Sequence, residues 1–331
     1  MRYLILLLIP LSVYAQVNIW EDIGPAGQRV NTICILPEGD VIGGTMNMGI
    51  YKFNSTGNYT SLANGFLDTI DFYIFEEIYP LPGSPGTFVA GVQTNCGAMY
   101  HSLYRSDNNG QNWNPIQVTP LDNSGTISFW IDPYDPDHWV WSGYTFSYLR
   151  HTFNAGTTWT NSPEPDQSGV TKLYSPPYLP NTNGSVLFSL SLAGPRGSNP
   201  DMGGIRVSYN SGWQWHTVWN ISQWGVVDPR DIEIDPFQLN RLITVATVVD
   251  SNFTQYRWLE SHDSGNTWQT SNNYIPSQML RELELDPQRQ GVIYVGTHDF
   301  GLIKSSDNGL TWEQITASIS RSGSVLDLEL D

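Results

Sequence analysis

The sequence predicts an all-β protein built from repeated four-stranded units, six complete and a seventh that is only partial. Three observations predict this class: an octapeptide recurs at a near-constant spacing, runs of alternating apolar residues precede its copies, and aromatic residues are abundant. Aromatic residues form 13% of the 331 positions and charged residues 14%, against about 25% charged residues in an average soluble protein. This composition excludes coiled coils, helical bundles and acidic disordered tails.

The charge balance excludes one class of partner. The chain has 15 Lys and Arg against 32 Asp and Glu, a formal net charge of −17. Because such a surface repels phosphate backbones, we expect no binding to nucleic acid.

The first 15 residues are typical of a secretion signal. Arg2 precedes an apolar stretch over residues 3–11, and Val13 and Ala15 provide a small-x-small cleavage site. We therefore expect residues 1–15 to be removed and residues 16–331 to form one exported domain, extracellular or periplasmic. No later stretch of about 20 apolar residues predicts a transmembrane segment.

The octapeptide has the pattern S-x-D-x-G-x-T-W. It is clearest at residues 261–268 and 305–312, and looser copies lie at residues 106–113, 152–159 and 208–215. The closing tryptophans are 46, 56, 53 and 44 residues apart. Repetition at this spacing predicts a repeat architecture with one structural unit for each copy.

Each position of the octapeptide suits a tight hairpin. The third residue can accept a hydrogen bond from the backbone N–H two residues further on, and glycine allows a positive φ. The closing tryptophan can bury up to about 200 Å2. We expect all five tryptophans to be buried and all octapeptides to lie on one face, with a structural role for Asn108, Trp113, Asn154, Trp159, Asn210, Trp215, Asp263, Trp268, Asp307 and Trp312.

Upstream of the octapeptides, alternating apolar residues lead through a proline turn into a β-rich run. Residues 232–236 lead to 242–246, and residues 283–287 lead to 292–297. A degenerate copy without the tryptophan opens the repeats at residues 33–37. Each copy therefore predicts four short strands, which is the unit of one propeller blade.

The octapeptide resembles the Asp-box, or BNR, repeat of the sialidase, sortilin and xyloglucanase-like β-propellers. The resemblance covers nearly the whole mature chain. It implies that the octapeptides join the third and outermost strands of the blades, away from the ligand face. A catalytic role for Asp263 or Asp307 is therefore not expected.

The two ends of the repeat array predict an incomplete blade. Residues 17–23 read as a spare outermost strand, and residues 325–331 read as an innermost strand. Either a seventh blade is only half present or the natural protein continues past residue 331, and we favour the second interpretation. In both cases the two terminal strands should lie near each other or flank a gap in the ring.

Ligand contacts are expected in the loops between second and third strands and in the crossings between blades. Arg230 and Arg281 occupy equivalent positions, each six residues before a turn proline. They either contact a ligand or pair with Asp231 and Glu282. The candidate ligand-binding residues are Arg230, Arg281, Trp224, Asp228, His298, Asp299 and Tyr144.

The sequence lacks residues that catalysis requires in the enzyme families it resembles. Arg29 lacks the neighbouring aromatic residue and proline of the sialidase motif, and Met46 stands where the resemblance to xyloglucanase-like propellers implies an aspartate. The six histidines show no metal-binding spacing, so neither a metal nor another cofactor is expected. Cys34 and Cys96 form either one disulfide or two buried thiols.

These observations predict a secreted, non-catalytic module that binds an extracellular glycan or protein, as in adhesion. The alternative is a glycoside hydrolase of the xyloglucanase-like or sialidase-like kind.

Overall fold

The computed structural model describes most of the chain between residues 30 and 330. The described residues are 30–36, 38–46, 49–54, 58–62, 65–66, 73–94, 103–116, 126–143, 149–162, 170–176, 185–191, 204–220, 226–249, 254–275, 280–298, 300–315 and 327–330.

These residues form six antiparallel sheets of four strands, each with its strands in chain order from the inside outwards. Blade 1 consists of β1 (Val30–Ile35), β2 (Val41–Thr45), β3 (Ile50–Phe53) and β4 (Tyr59–Ser61). Blade 2 consists of β5 (Tyr73–Pro80), β6 (Phe88–Thr94), β7 (Leu103–Ser106) and β8 (Asn114–Ile116). Blade 3 consists of β9 (Thr126–Ile131), β10 (His138–Gly143), β11 (Arg150–Phe153) and β12 (Thr160–Asn161).

The second half of the ring repeats this order. Blade 4 consists of β13 (Val170–Tyr174), β14 (Leu187–Ser191), β15 (Gly204–Ser208) and β16 (His216–Asn220). Blade 5 consists of β17 (Val226–Ile234), β18 (Leu242–Val249), β19 (Thr254–Ser261) and β20 (Gln269–Tyr274). Blade 6 consists of β21 (Leu280–Leu285), β22 (Ile293–Thr297), β23 (Leu302–Ser305) and β24 (Glu313–Gln314).

The core lies between successive blades. Between blades 2 and 3, for example, Val89 and Leu103 pack against Phe129, Trp139 and Trp141, all of them fully buried. The second strands of the blades, such as β10, β14 and β22, are buried along their whole length because neighbouring blades cover both of their faces. The predicted all-β propeller with six four-stranded blades is confirmed, and no helix occurs in the described residues.

The octapeptides join the third and fourth strands of blades 2 to 6, so they all lie at the same edge of the ring, as predicted. In blade 5, Ser261 Oγ accepts hydrogen bonds from Gly265 N at 2.8 Å and from Asp263 N at 3.3 Å. Asp263 Oδ1 accepts from Thr267 N at 2.8 Å. The sequence predicted that the Asp263 side chain accepts from the N–H two residues further on. This prediction is wrong, because that N–H belongs to Gly265 and donates to Ser261 Oγ.

Backbone conformation explains the glycine of the octapeptide. Gly265 has a φ of 84° and the preceding Ser264 a φ of 60°. The sequence predicted the first of these left-handed residues and missed the second. An added Cβ at Gly265 would also lie 2.5 Å from the Phe188 ring of blade 4, so glycine is required there for two reasons.

The tryptophans that close the octapeptides are not equally covered. Trp113, Trp159 and Trp215 are buried, but Trp268 and Trp312 are only partly buried, so the expectation of five buried indoles is wrong for two of them. Trp113 is covered by Phe66, whose ring centroid lies 5.7 Å away. Trp312 meets Trp258 edge to face at 6.1 Å.

Two other sequence predictions concern residues near the chain ends. Cys34 is a buried free cysteine in β1, whereas Cys96 lies outside the described residues. Residues 327–330 lie beside blade 1, where Asp327 and Glu329 accept hydrogen bonds from the backbone of β1. The other predicted terminal strand, residues 17–23, lies outside the described residues.

Candidate functional site

Each innermost strand carries a β-bulge three or four residues before its last residue. A bulge places one unpaired residue in the strand and redirects its side chain. The six bulged residues form a rim around the axis of the ring, and they are Asn31, Glu76, Ile127, Thr171, Arg230 and Arg281. The equivalence of Arg230 and Arg281 is therefore confirmed, and the two arginines lie in neighbouring blades.

The residues that follow the bulges join the blades to one another. Glu77 Oε2 of blade 2 accepts from Phe129 N of blade 3 at 2.7 Å. Asp231 Oδ2 of blade 5 accepts from Leu283 N of blade 6 at 2.8 Å. The same bond recurs between Ser128 Oγ and the N–H of Leu173 at 2.9 Å. A side chain next to the axis thus binds the backbone of the following blade.

A second layer of such bonds lies two residues further along the strands. Tyr174 Oη accepts from Ile234 N at 3.0 Å and donates to Glu233 Oε2 at 3.2 Å. Glu329 Oε2 accepts from Ile35 N at 2.7 Å. We call the charged residues of the two layers the axial cluster, and its members are Glu77, Lys172, Asp231, Glu233, Glu282, Glu284, Asp327 and Glu329.

Lys172 is the cation of the axial cluster. Its Nζ lies 3.2 Å from Asp231 Oδ1 and 3.1 Å from Glu282 Oε1, and a quarter of its side-chain surface stays exposed. Asp231 and Glu282, which the sequence analysis named as possible partners of Arg230 and Arg281, are thus in contact with Lys172.

Crowding and burial raise the pKa values of the carboxyl groups. Burial raises the pKa of Glu77 to about 7, opposed by Lys172 and by the bond from Phe129 N. Burial and the neighbouring Asp231 raise the pKa of Glu233 to about 8. The pKa values of Glu282 and Glu284 are also raised, chiefly by burial and then by adjacent carboxylates. Part of the cluster is therefore protonated near neutral pH.

The axial cluster was missed by the sequence analysis, although a signal for it exists. Acidic residues alternate at 231 and 233, at 282 and 284, and at 327 and 329. A period of two places such pairs on one face of a strand. Lys172 carries no comparable signal, because its partners are 59 and 110 residues away.

The other candidate ligand-binding residues are only partly visible. His298 follows β22 and is half-buried. Asp228 belongs to β17 and precedes the bulge at Arg230. The remaining candidates, Trp224, Asp299 and Tyr144, lie outside the described residues, so their roles stay predictions.

A second polar group lies within blade 3. His138 Nε2 and His151 Nδ1 are 3.1 Å apart, and Asp132 Oδ2 lies 3.7 Å from His138 Nδ1. The ring of Trp213 stacks on His151 at 4.8 Å. Burial, together with the adjacent His138, lowers the pKa of His151 to about 3, so this ring stays neutral.

In the described residues, no group of three or more His, Cys, Asp or Glu side chains is arranged to hold a metal ion. The described part of the chain also contains no helix that could cross a membrane.

Comparison with known proteins identifies the fold. No family model and no curated protein matches the chain. The GH74 enzyme of Niastella koreensis is 17% identical over 87% of this chain and 45% of its own length, with a TM-score of 0.62. The GH74 xyloglucanase of Xanthomonas campestris is 14% identical over 87% of this chain and 45% of its own, with a TM-score of 0.64.

A third similar structure is a binding protein. YCF48 in complex with a D1 peptide is 16% identical over 85% of this chain and 77% of its own, with a TM-score of 0.52. The chain spans less than half the length of the two GH74 proteins. At these identities the likenesses establish the propeller fold, and the function must be argued from the residues.

Proposed function

We propose that this chain is an exported, non-catalytic binding propeller. Its ligand, a glycan or another protein, would contact the rim of bulged residues and the loops beside it. Export is supported by the signal sequence predicted at residues 1–15.

The observation that carries the proposal is the structural use of the axial carboxylates. Glycoside hydrolysis needs two carboxyl groups that can exchange protons or attack the sugar during the reaction. Glu77, Asp231 and Asp327 each accept a backbone N–H from the next inner strand. Because these bonds hold neighbouring blades together, one oxygen of each of these three carboxyl groups is already committed to the structure of the ring.

The first blade supplies a second argument against catalysis. Met46 follows the end of β2, in the loop that Thr45 closes by donating from its Oγ1 to Gly49 O at 2.8 Å. Resemblance to the xyloglucanase-like propellers implies a carboxylate at this position. A thioether neither donates nor accepts protons in acid–base catalysis.

The rim supports a binding role because its residues differ from blade to blade. Blades 5 and 6, which follow each other in the ring, carry Arg230 and Arg281 at their bulges, whereas blade 2 carries Glu76. In a protein with a net charge of −17, two neighbouring arginines favour a ligand with an acidic or hydroxyl-rich group at that side of the ring.

The test combines binding and turnover on the mature protein. Glycan arrays and pull-downs should detect a ligand, while xyloglucan, other β-glucans and sialosides should release no reducing sugar or sialic acid. Arg230→Ala should abolish binding in a protein that circular dichroism shows to be folded. Arg105→Ala, which removes a partly exposed arginine beside the octapeptide of blade 2, should keep binding.

Hydrolysis is the alternative, favoured by the GH74 likeness and by the raised pKa of Glu77. A carboxyl group with a pKa of about 7 is in the range that a general acid needs. Turnover that is lost in Glu77→Gln, Asp228→Asn or Asp299→Asn, with folding intact, would replace the binding proposal by this one.

A further inference from the structure

Two aromatic rings lie side by side where blades 3 and 4 meet, at the edge of the ring that carries the octapeptides. Phe153 belongs to the octapeptide of blade 3 and Trp213 to that of blade 4. Their ring centroids are 5.6 Å apart, and their planes differ by 12°. The two side chains therefore present one nearly flat apolar surface, which we call the aromatic platform.

The histidine pair of blade 3 supports the platform from beneath. Phe153 stacks on His138 at 4.5 Å, and Trp213 stacks on His151 at 4.8 Å. Both aromatic rings lie on the same side of the histidine pair, because rings on opposite sides would be separated by two stacking distances, which is more than the measured 5.6 Å. Phe153 is 48% exposed although His138 covers one of its faces, so the platform is open on its outer side.

The propeller does not need two aromatic residues at these positions. The second residue of one octapeptide meets the sixth residue of the next, as when Tyr209 Oη donates to Asn266 Oδ1 at 2.8 Å between blades 4 and 5. Every other junction between two octapeptides carries at least one polar residue at this pair of positions, and the pairs are Asp107 with Thr157, Tyr209 with Asn266, and His262 with Leu310. Because these pairs serve the same junction, the platform points to a ligand.

Acidic side chains lie in the turn beside the platform. Asp135 and Asp137 are exposed in the turn between β9 and β10. This turn is held against the octapeptide of blade 3, because Ala155 N donates to Asp137 O at 3.0 Å. Carboxylates accept hydrogen bonds from hydroxyl groups and repel other anions. The platform therefore suits an uncharged ligand that combines a flat apolar face with hydroxyl groups at its edge.

We propose that the aromatic platform is a second binding surface, which stacks against the sugar rings of a neutral glycan. A pyranose ring with equatorial hydroxyl groups presents a flat face of C–H groups, and the electron-rich face of an aromatic ring attracts them. Because the histidines fix both aromatic rings before binding, little side-chain entropy is lost. The platform lies at the octapeptide edge and the rim lies around the axis, so this inference does not depend on the function proposed above.

Saturation-transfer difference NMR with cellohexaose tests the contact on the unaltered mature protein. Cellohexaose is uncharged, and its β-linked glucose rings have equatorial hydroxyl groups. Irradiation of the aromatic protons of the protein should transfer saturation to the ring protons of the sugar. Absence of this transfer would overturn the proposal. Transfer to tetramethylammonium in place of cellohexaose would also overturn it, because the platform would then be a cation site.

Variants of the platform measure its share of the affinity. Trp213→Ala and Phe153→Ala should each raise the dissociation constant for cellohexaose at least about tenfold in calorimetric titrations, because each removes one of the two rings. Phe153→Tyr keeps a ring in the stack and should retain the original dissociation constant. Phe237→Ala, which removes a side chain that is 44% exposed at the same edge of blade 5, is the matched control and should also retain it.

Arg230→Ala separates the platform from the rim. This variant should lose binding at the rim and keep the dissociation constant for cellohexaose. If cellohexaose binding is lost in Arg230→Ala and kept in Trp213→Ala, the rim holds this glycan, so the platform inference is wrong while the function proposed above stands. If only the platform variants lose cellohexaose binding, the inference stands whatever the rim binds.

Discussion

The octapeptide hairpins and the axial cluster are both polar networks, but they connect residues over different distances along the chain. In the hairpins, Ser261 and Asp263 bind backbone groups four residues away. In the axial cluster, Glu77 binds the backbone 52 residues away, and Asp327 binds it 294 residues away. The first network shapes one turn, and the second determines how the blades fit together. Loss of a hairpin bond should therefore have a local effect, whereas loss of an axial contact such as that of Lys172 should weaken the contacts between blades.

The largest effect should come from the core beneath a hairpin, not from its hydrogen bonds. Trp113→Ala removes an indole that is 2% exposed and should lower the free energy of unfolding by about 3–5 kcal/mol, because a cavity remains. Trp268→Ala should cost about half as much, since Trp268 is only partly buried. Urea denaturation followed by circular dichroism measures both values. Equal losses of unfolding free energy in the two variants would show that the burial of the tryptophan does not determine its contribution to stability.

The next effect tests the axial cluster. Lys172→Met should lower the free energy of unfolding by about 2–3 kcal/mol, because Asp231 and Glu282 lose their cation. The expected loss is smaller than for a fully buried ion pair, because 25% of the Lys172 side-chain surface is exposed to solvent. Lys304→Met, which removes an ion pair of 3.8 Å with the exposed Glu313, is the control and should cost far less. A loss for Lys172→Met no greater than the control's would contradict the architectural role of the cluster.

A smaller effect is expected from the hairpin bonds themselves. Asp263→Ala removes the acceptor for Thr267 N and Thr267 Oγ1 and should cost about 1–2 kcal/mol. Asp263→Asn keeps the acceptor oxygen, as the asparagines at 108, 154 and 210 do, and should restore most of the loss. The melting temperatures of both variants, measured by thermal unfolding, show whether the loss and its recovery occur. A ligand-binding defect without a change in melting temperature would show that this residue is more than a folding device.

A further effect is a dependence of stability on pH. Glu77 and Glu233 have pKa values raised to about 7 and about 8, so the folded state holds their protons more tightly than the unfolded state does. Their contribution is full below the ordinary carboxyl value of 4.5 and is lost as the pH rises through 7 and 8. The melting temperature should therefore fall between pH 5 and about pH 8.5. The double variant Glu77→Gln and Glu233→Gln should flatten this slope, and an unchanged slope would show that other groups cause it.

Much of the fold could be predicted because its signals are local. The octapeptides, the proline turns and the alternating strands each depend on residues within one blade, so six four-stranded units follow from their repetition. The candidate site was predicted less well. The equivalence of Arg230 and Arg281 was visible from their spacing, but the contact of Lys172 with Asp231 and Glu282 was not.

The amino-acid sequence by itself determined the strands, the number of complete blades and the edge of the ring that carries the hairpins, because these depend on short-range periodicity and turn chemistry. The tertiary structure decided which side chains meet at the axis. A bulge in every innermost strand shifts the alternation by one residue, which turns Asp231 and Glu282 towards Lys172 and leaves Arg230 and Arg281 at the bulges. No local pattern encodes that meeting, because the three partners come from blades 4, 5 and 6 and approach one another only when the ring has formed.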